Sequence, residues 1–133
     1  MTVKTAAEKR INVFAKKVLR MLGKNGTHTA VFLLGGDEMA RLKLLYLGRK
    51  AEKEVDVLAF PEPKGFPHPE TRNRFLGEIY INKKIAFSDW KRARFLAVHG
   101  ILHLLGYSHG KKSDTIKMER KEQKLLKQLS VIK

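Results

Sequence analysis

The stretch HGILHLLGYSH, His99 to His109, has the residue types and the spacing of a metal site. Residues four apart on a helix share one face, so His99 and His103 can reach one ion together. Gly106 suits the left-handed backbone that ends a helix and turns the chain back. That reversal brings His109 round as a third ligand. Three imidazoles at about 2.0–2.1 Å leave one tetrahedral position open for water, as in a catalytic zinc site. An ion held this way lowers the pKa of its water from about 15.7 to about 7, so hydroxide becomes available at neutral pH. The expectation is one Zn2+ ion, although imidazole also suits Ni, Cu and Fe. A packed histidine pair on a half-buried helix would explain His99 and His103 alone. It does not explain the third histidine with a glycine between.

Zinc proteases with this spacing carry H-E-x-x-H, where the glutamate activates the water for amide attack. Here the position after His99 is Gly100, which cannot act as a base. Peptide hydrolysis is therefore poorly provided for, and a metallopeptidase remains only as an alternative. Phosphodiester cleavage asks less, because a metal and an arginine can stabilise charge on phosphate oxygens and activate water or a ribose hydroxyl.

The charge of the chain points to the same substrate. Lys and Arg number 28 against 13 acidic residues, a net charge of +15 on 133 residues. Such a surplus favours a polyanionic partner, since each neutralised phosphate releases condensed counterions. A merely solubilising surface is the plainer reading of the same numbers. There is no cysteine, so disulfides and thiolate ligands are excluded. No apolar run approaches the roughly 18–20 residues of a membrane span, and the first residues lack the apolar core of a secretory signal. The expected compartment is the cytoplasm.

The length fits one domain over residues 1–133. Ala7, Ile11, Phe14, Val18 and Leu22 recur at helical steps, which predicts a helix over 5–22 that GKNG stops. TAVFLLGG (29–36) reads as a buried strand, and Asp37 as the cap of a second helix. VDVLAF (55–60) and FLGEIYIN (75–82) read as strands on either side of a loop that holds all four prolines. Residues 89–105 form the helix that carries His99 and His103. Ser113 or Asp114 caps a last basic helix with Leu125, Leu129 and Ile132 on its apolar side. The predicted order is α-β-α-β-β-α-α, an α+β fold with a small mixed sheet packed against helices. The metal site lies on a helix and the turn after it.

The histidine block resembles the signature H-G-x-L-H-L-x-G-Y-D-H of the YbeY family, bacterial rRNA-maturation proteins that are metal-dependent, single-strand-specific endoribonucleases. His99, Gly100, Leu102, His103, Leu104, Gly106, Tyr107 and His109 are in register, and Ser108 stands where the family has aspartate. GRKAEKEVDVLAFP is similar to the family's segment before its proline loop, with Arg49, Asp56, Val57, Leu58 and Phe60 matching. LGEI (76–79) is similar to its L-G-D-I. The resemblance implies zinc on the three histidines and Arg49 as the catalytic group that grips substrate phosphate. It also implies a role in maturing the 3′ end of 16S rRNA and in ribosome biogenesis at the small ribosomal subunit. A planar guanidinium suits Arg49 to that task. The competing class is a non-catalytic, zinc-stabilised rRNA-binding factor of ribosome assembly.

Further RNA contacts are expected from Lys111 and Lys112, just beyond His109, and from Arg92. Arg92 lies with Lys91 and Arg94 near the start of the metal-bearing helix, where cations oppose the helix dipole. Glu78 reads either as a carboxylate that orients a histidine or as an outward strand residue. Glu119 and Glu122 read as surface charges, His28 and His68 as surface residues, and Trp90 as core.

Overall fold

The computed structural model describes residues 5–50, 54–62, 74–107 and 112–131. Among them the order is α1 (Ala6–Met21), β1 (Thr27–Leu34), α2 (Gly36–Leu47), β2 (Val57–Pro61), β3 (Arg74–Asn82), α3 (Lys83–Ser88), α4 (Trp90–Leu104) and α5 (Lys112–Val131). The fold is α+β, as expected. The three strands form one mixed sheet in the order β1-β3-β2, with β1 parallel and β2 antiparallel to the central β3.

Strand alternation splits the side chains between two layers. Val31, Leu33, Ile79 and Ile81 face α1 and α4 in the main core, which Met118, Leu125 and Leu129 of α5 extend. Phe32, Leu34, Leu58 and Tyr80 belong to the opposite face, where Met39 of α2 is fully buried. The sheet thus lies between α2 on one side and α1 and α4 on the other.

The predicted stripe of α1 holds: Ile11 and Val18 are fully buried, and Ala7, Phe14 and Leu22 pack against the core. Thr5 caps the helix by accepting from the Glu8 N–H at 3.2 Å. Polar residues of α1 also serve the sheet. The Asn12 carboxamide accepts from Val31 N–H and donates to Val31 C=O, both at 2.9 Å, and Glu8 Oε2 accepts from Leu33 N–H at 2.9 Å.

Three expectations are corrected. The second helix starts at Gly36, one residue before Asp37: Gly35 is its N-cap, and Asp37 with Glu38 occupies the first turn, where the helix dipole favours acids. The short helix α3 was not predicted. Its cap, Asn82, is buried and accepts from Lys84 N–H at 3.0 Å while donating to Glu54 Oε1 and to the Val55 carbonyl, so one side chain ends β3, starts α3 and ties down the approach to β2. The last helix already begins at Lys112, before Ser113 and Asp114, and Asp114 lies in its first turn. His68 and most of the proline loop lie outside the described residues.

Candidate metal centre

The centre depends on how closely α4 approaches the sheet. Gly100 is buried, and a Cβ placed there would lie 2.9 Å from Ile79 Cγ2 and 3.1 Å from its Cδ1. Gly77 makes a matching allowance on β3. Its φ is +145°, and a Cβ would collide with the Phe60 carbonyl oxygen and lie 2.9 Å from Leu104 Cδ2. The helix backbone at Gly100 therefore rests directly on the Ile79 side chain, and the Leu104 side chain rests on the strand backbone at Gly77. Gly100 faces the sheet and His99 does not. A glutamate at position 100 would point into β3 rather than toward a reacting water.

Asp89 caps α4 by accepting from Arg92 N–H at 3.0 Å. His99 and His103 then stand one turn apart on α4, with their Nε2 atoms facing each other at 3.0 Å. Two nitrogens each about 2.0–2.1 Å from one ion at a tetrahedral angle lie roughly 3.3 Å apart, so this pair fits a shared metal. His99 Nδ1–H donates to Glu122 Oε1 at 3.0 Å. Glu122 is only 2 % exposed. The expectation that it is a surface charge is corrected, whereas Glu119 is exposed as expected. A carboxylate on Nδ1 places the ring's proton there and leaves Nε2 as a lone-pair donor.

Helix α4 ends at the residue the metal reading needs. Gly106 has φ +101°, its N–H donates to the His103 carbonyl at 3.0 Å, and Tyr107 N–H donates to the Leu102 carbonyl at 3.0 Å. These are the two bonds of a Schellman turn. They break the helix just beyond His103 and send the chain toward His109. His109 and Lys111 lie outside the described residues, as does the side chain of Lys112. Among the described residues, no cluster of three or more metal-ligating groups is formed.

The remaining candidates are dispersed. Arg49 is exposed and follows Gly48, whose left-handed backbone (φ +64°) ends α2. No hydrogen bond or ion pair ties it to the described histidines. Arg92 pairs with Asp56 at 3.5 Å and lies 5.2 Å over the Phe95 ring. Glu78 accepts from the Tyr80 hydroxyl at 2.6 Å on the α2 face of the sheet, so it is the outward strand residue and orients neither described histidine. Burial first, and then this bond and charge of Glu78, hold the Tyr80 phenol well above its ordinary pKa. Trp90 packs against the core with the Arg10 guanidinium 4.1 Å over its ring, and His28 is exposed on β1.

The family model described as Endoribonuclease YbeY matches residues 2–130. The chain belongs to the YbeY family. An Endoribonuclease YbeY of Thermodesulfovibrio yellowstonii is 36% identical over 129 residues, covering 86% of this chain and 76% of that protein. Another, from Aquifex aeolicus, is 32% identical over 130 residues, covering 91% of this chain and 83% of its own length. The solution structure of a Thermotoga maritima protein shares the fold, with a TM-score of 0.56 at 21% identity, over 95% of this chain and 83% of that one. The family resemblance read from the histidine block thus holds along nearly the whole chain. In this YbeY chain, Glu122 is the site residue that sequence reading missed. Helical phase could have found it, because Glu122 falls between Met118 and Leu125 on the buried stripe of α5.

Proposed function

We propose that this chain is a metal-dependent, single-strand-specific endoribonuclease acting in rRNA processing, at the 3′ end of 16S rRNA, and in ribosome biogenesis. The observation that carries the reading is the facing Nε2 pair of His99 and His103, with His99 braced by a buried carboxylate. In this reading one Zn2+ ion is held by His99, His103 and His109. Such an ion supplies positive charge to phosphate oxygens and makes water acidic enough to react at neutral pH.

The chain's own residues do the rest. Glu122 holds the His99 proton on Nδ1 and stops the ring from rotating away. Arg49 grips the substrate phosphate, and Arg92, Lys111 and Lys112 neutralise neighbouring phosphates. The packing of Gly100 on Ile79 speaks against a peptidase, since it excludes a glutamate base at that position. The whole chain acts as one domain in the cytoplasm, with the small ribosomal subunit as its partner. No helix among the described residues is long and apolar enough to cross a membrane.

The test is cleavage of an end-labelled single-stranded RNA with and without chelator, beside His103→Ala. Cutting that vanishes in both the chelated sample and the variant supports the reading. Cutting that survives in the variant refutes it, and binding without cutting favours the assembly-factor alternative.

A further inference from the structure

Helix α2 rests on the sheet by its first half, where Met39 is fully buried beside Val55 and Leu58 and Leu42 packs against them. Its last turn is different. Leu44, Leu45, Tyr46 and Leu47 are successive residues, and they are 55%, 74%, 65% and 50% exposed. At about 100° per residue they occupy every side of the helix, so the end of α2 stands clear of the sheet. Tyr46 leans back, with its ring 5.5 Å from that of Phe60. Single exposed leucines need no explanation, but a contiguous apolar cluster marks a surface that something covers.

The charges along α2 indicate what covers it. Asp37, Arg41, Leu44, Leu45 and Gly48 recur at helical steps and are all exposed, so they form the outer face of the helix. That face is segregated. Asp37 and Glu38 occupy its first turn, the leucines its last, and Arg49 and Lys50 follow directly on the Gly48 cap. Among the described residues none of Asp37, Glu38, Arg49 and Lys50 takes part in an ion pair. An acidic protein, RNA or an anionic lipid surface meets like charge at the start of this face. A basic partner meets it at the end. A second copy of the same face, laid antiparallel, meets opposite charge at both ends.

We propose that α2 is the contact of a weak, two-fold symmetric dimer of this chain. With the axis beside Leu44, residues equally far before and after it lie opposite each other. Leu44 then packs on its own copy, flanked by Leu45. Glu38 and Lys50 are each six residues from Leu44, about 9 Å along the helix direction, and they face each other twice. The acidic, positive-dipole start of one helix thus meets the negative-dipole end of the other. Such a contact is isologous and closes at two copies. The faces of two twelve-residue helices fall short of the roughly 1,200 Å² of a stable interface, and a charge of +15 on each copy opposes association. The pair is therefore transient, with a Kd between about 1 µM and 1 mM. Nothing in this rests on the endoribonuclease reading, and either can fail without the other.

The test is analytical ultracentrifugation of the RNA-free full chain over a concentration series reaching about 1 mM. The expected result is a monomer that passes into a dimer and goes no further. Leu44→Ser with Leu45→Ser, both at exposed positions, should abolish the dimer with an unchanged circular dichroism spectrum. Glu38→Lys and Lys50→Glu should each weaken it by at least about threefold, and the two together should restore it. Net charge alone predicts otherwise, because Glu38→Lys adds positive charge and Lys50→Glu removes it. Opposite effects of these two variants would therefore overturn the proposal. So would a monomer at every concentration, a dimer indifferent to the leucine variant, or growth beyond two copies. A monomer that instead binds phosphatidylglycerol vesicles through the same leucines would assign the face to lipid and overturn it as well.

Discussion

Glu122 Oε1 lies 3.0 Å from His99 Nδ1, across 23 positions of sequence and inside the contact between α4 and α5. The bond joins the helix that carries the histidine pair to the last helix, α5. Partners that fix a ligand histidine in this way are commonly worth 10–100-fold in metal affinity, to order of magnitude. Glu122→Ala is expected to weaken Zn2+ binding by about that factor, read by competition with a chromophoric chelator. Glu122→Gln keeps an acceptor for Nδ1–H and should lose less. Equal zinc affinity in all three proteins would remove Glu122 from the site.

Gly106 is a second lever on the same centre. A Cβ there meets nothing within 4 Å, so the whole cost of Gly106→Ala comes from the backbone at φ +101°. An L-residue in left-handed backbone costs about 1–2 kcal/mol. The variant should unfold at lower urea concentration by that amount, and it should bind zinc more weakly because the turn toward His109 is disturbed. A variant with wild-type stability would show that the Schellman bonds do not determine this helix end.

Tyr80 gives a pH prediction. Its phenol is held above its ordinary value by burial and by Glu78. A group whose folded pKa is raised contributes stability that is intact below the unfolded pKa, about 10 for tyrosine, and that fades as pH rises toward the folded one. Above about pH 10 the unfolded chain loses this proton first, so stability should fall with pH. Urea midpoints between pH 9 and pH 11 should decline more steeply for the wild type than for Tyr80→Phe. Parallel declines would assign the alkaline loss to other groups.

At Gly100 the prediction concerns packing. A methyl group 2.9 Å from Ile79 Cγ2 forces helix and strand apart, and overpacking of this kind costs about 1–3 kcal/mol. Gly100→Ala should lower the melting temperature, and Ile79→Ala in the same chain should recover part of that loss. The pair is in contact, so a double-mutant cycle should show coupling. Strict additivity of the two losses would mean that the approach is looser than it looks.

Much of this was legible in the chain because the signals are local. The α1 stripe, the β3 alternation and the His99–His103 step each repeat within a few residues, and periodicity reads them directly. Helix α3 has six residues, less than any window that could reveal a period, and only Asn82 and Asp89 mark its ends. Glu122 failed for a different reason. In a helix this basic an acid looks like a solvated counter-charge, and only its position in phase with Met118 and Leu125 says that it turns inward. The partner that makes it useful lies on another helix, and one sequence does not show which helices meet.

Asn12 also decides how far the sheet can grow. Among the described strands β1 lies at an edge of the sheet, and a bare edge is a template on which another chain can add itself. By meeting both backbone groups of Val31, the carboxamide stands where a fourth strand would have to dock. Glu8 does the same at Leu33, and it adds a charge that an incoming strand would have to strip of its water. The first helix is therefore a guard against self-association as well as one wall of the core. Loss of the Asn12 side chain would register as loss of solubility in a protein whose fold is otherwise intact.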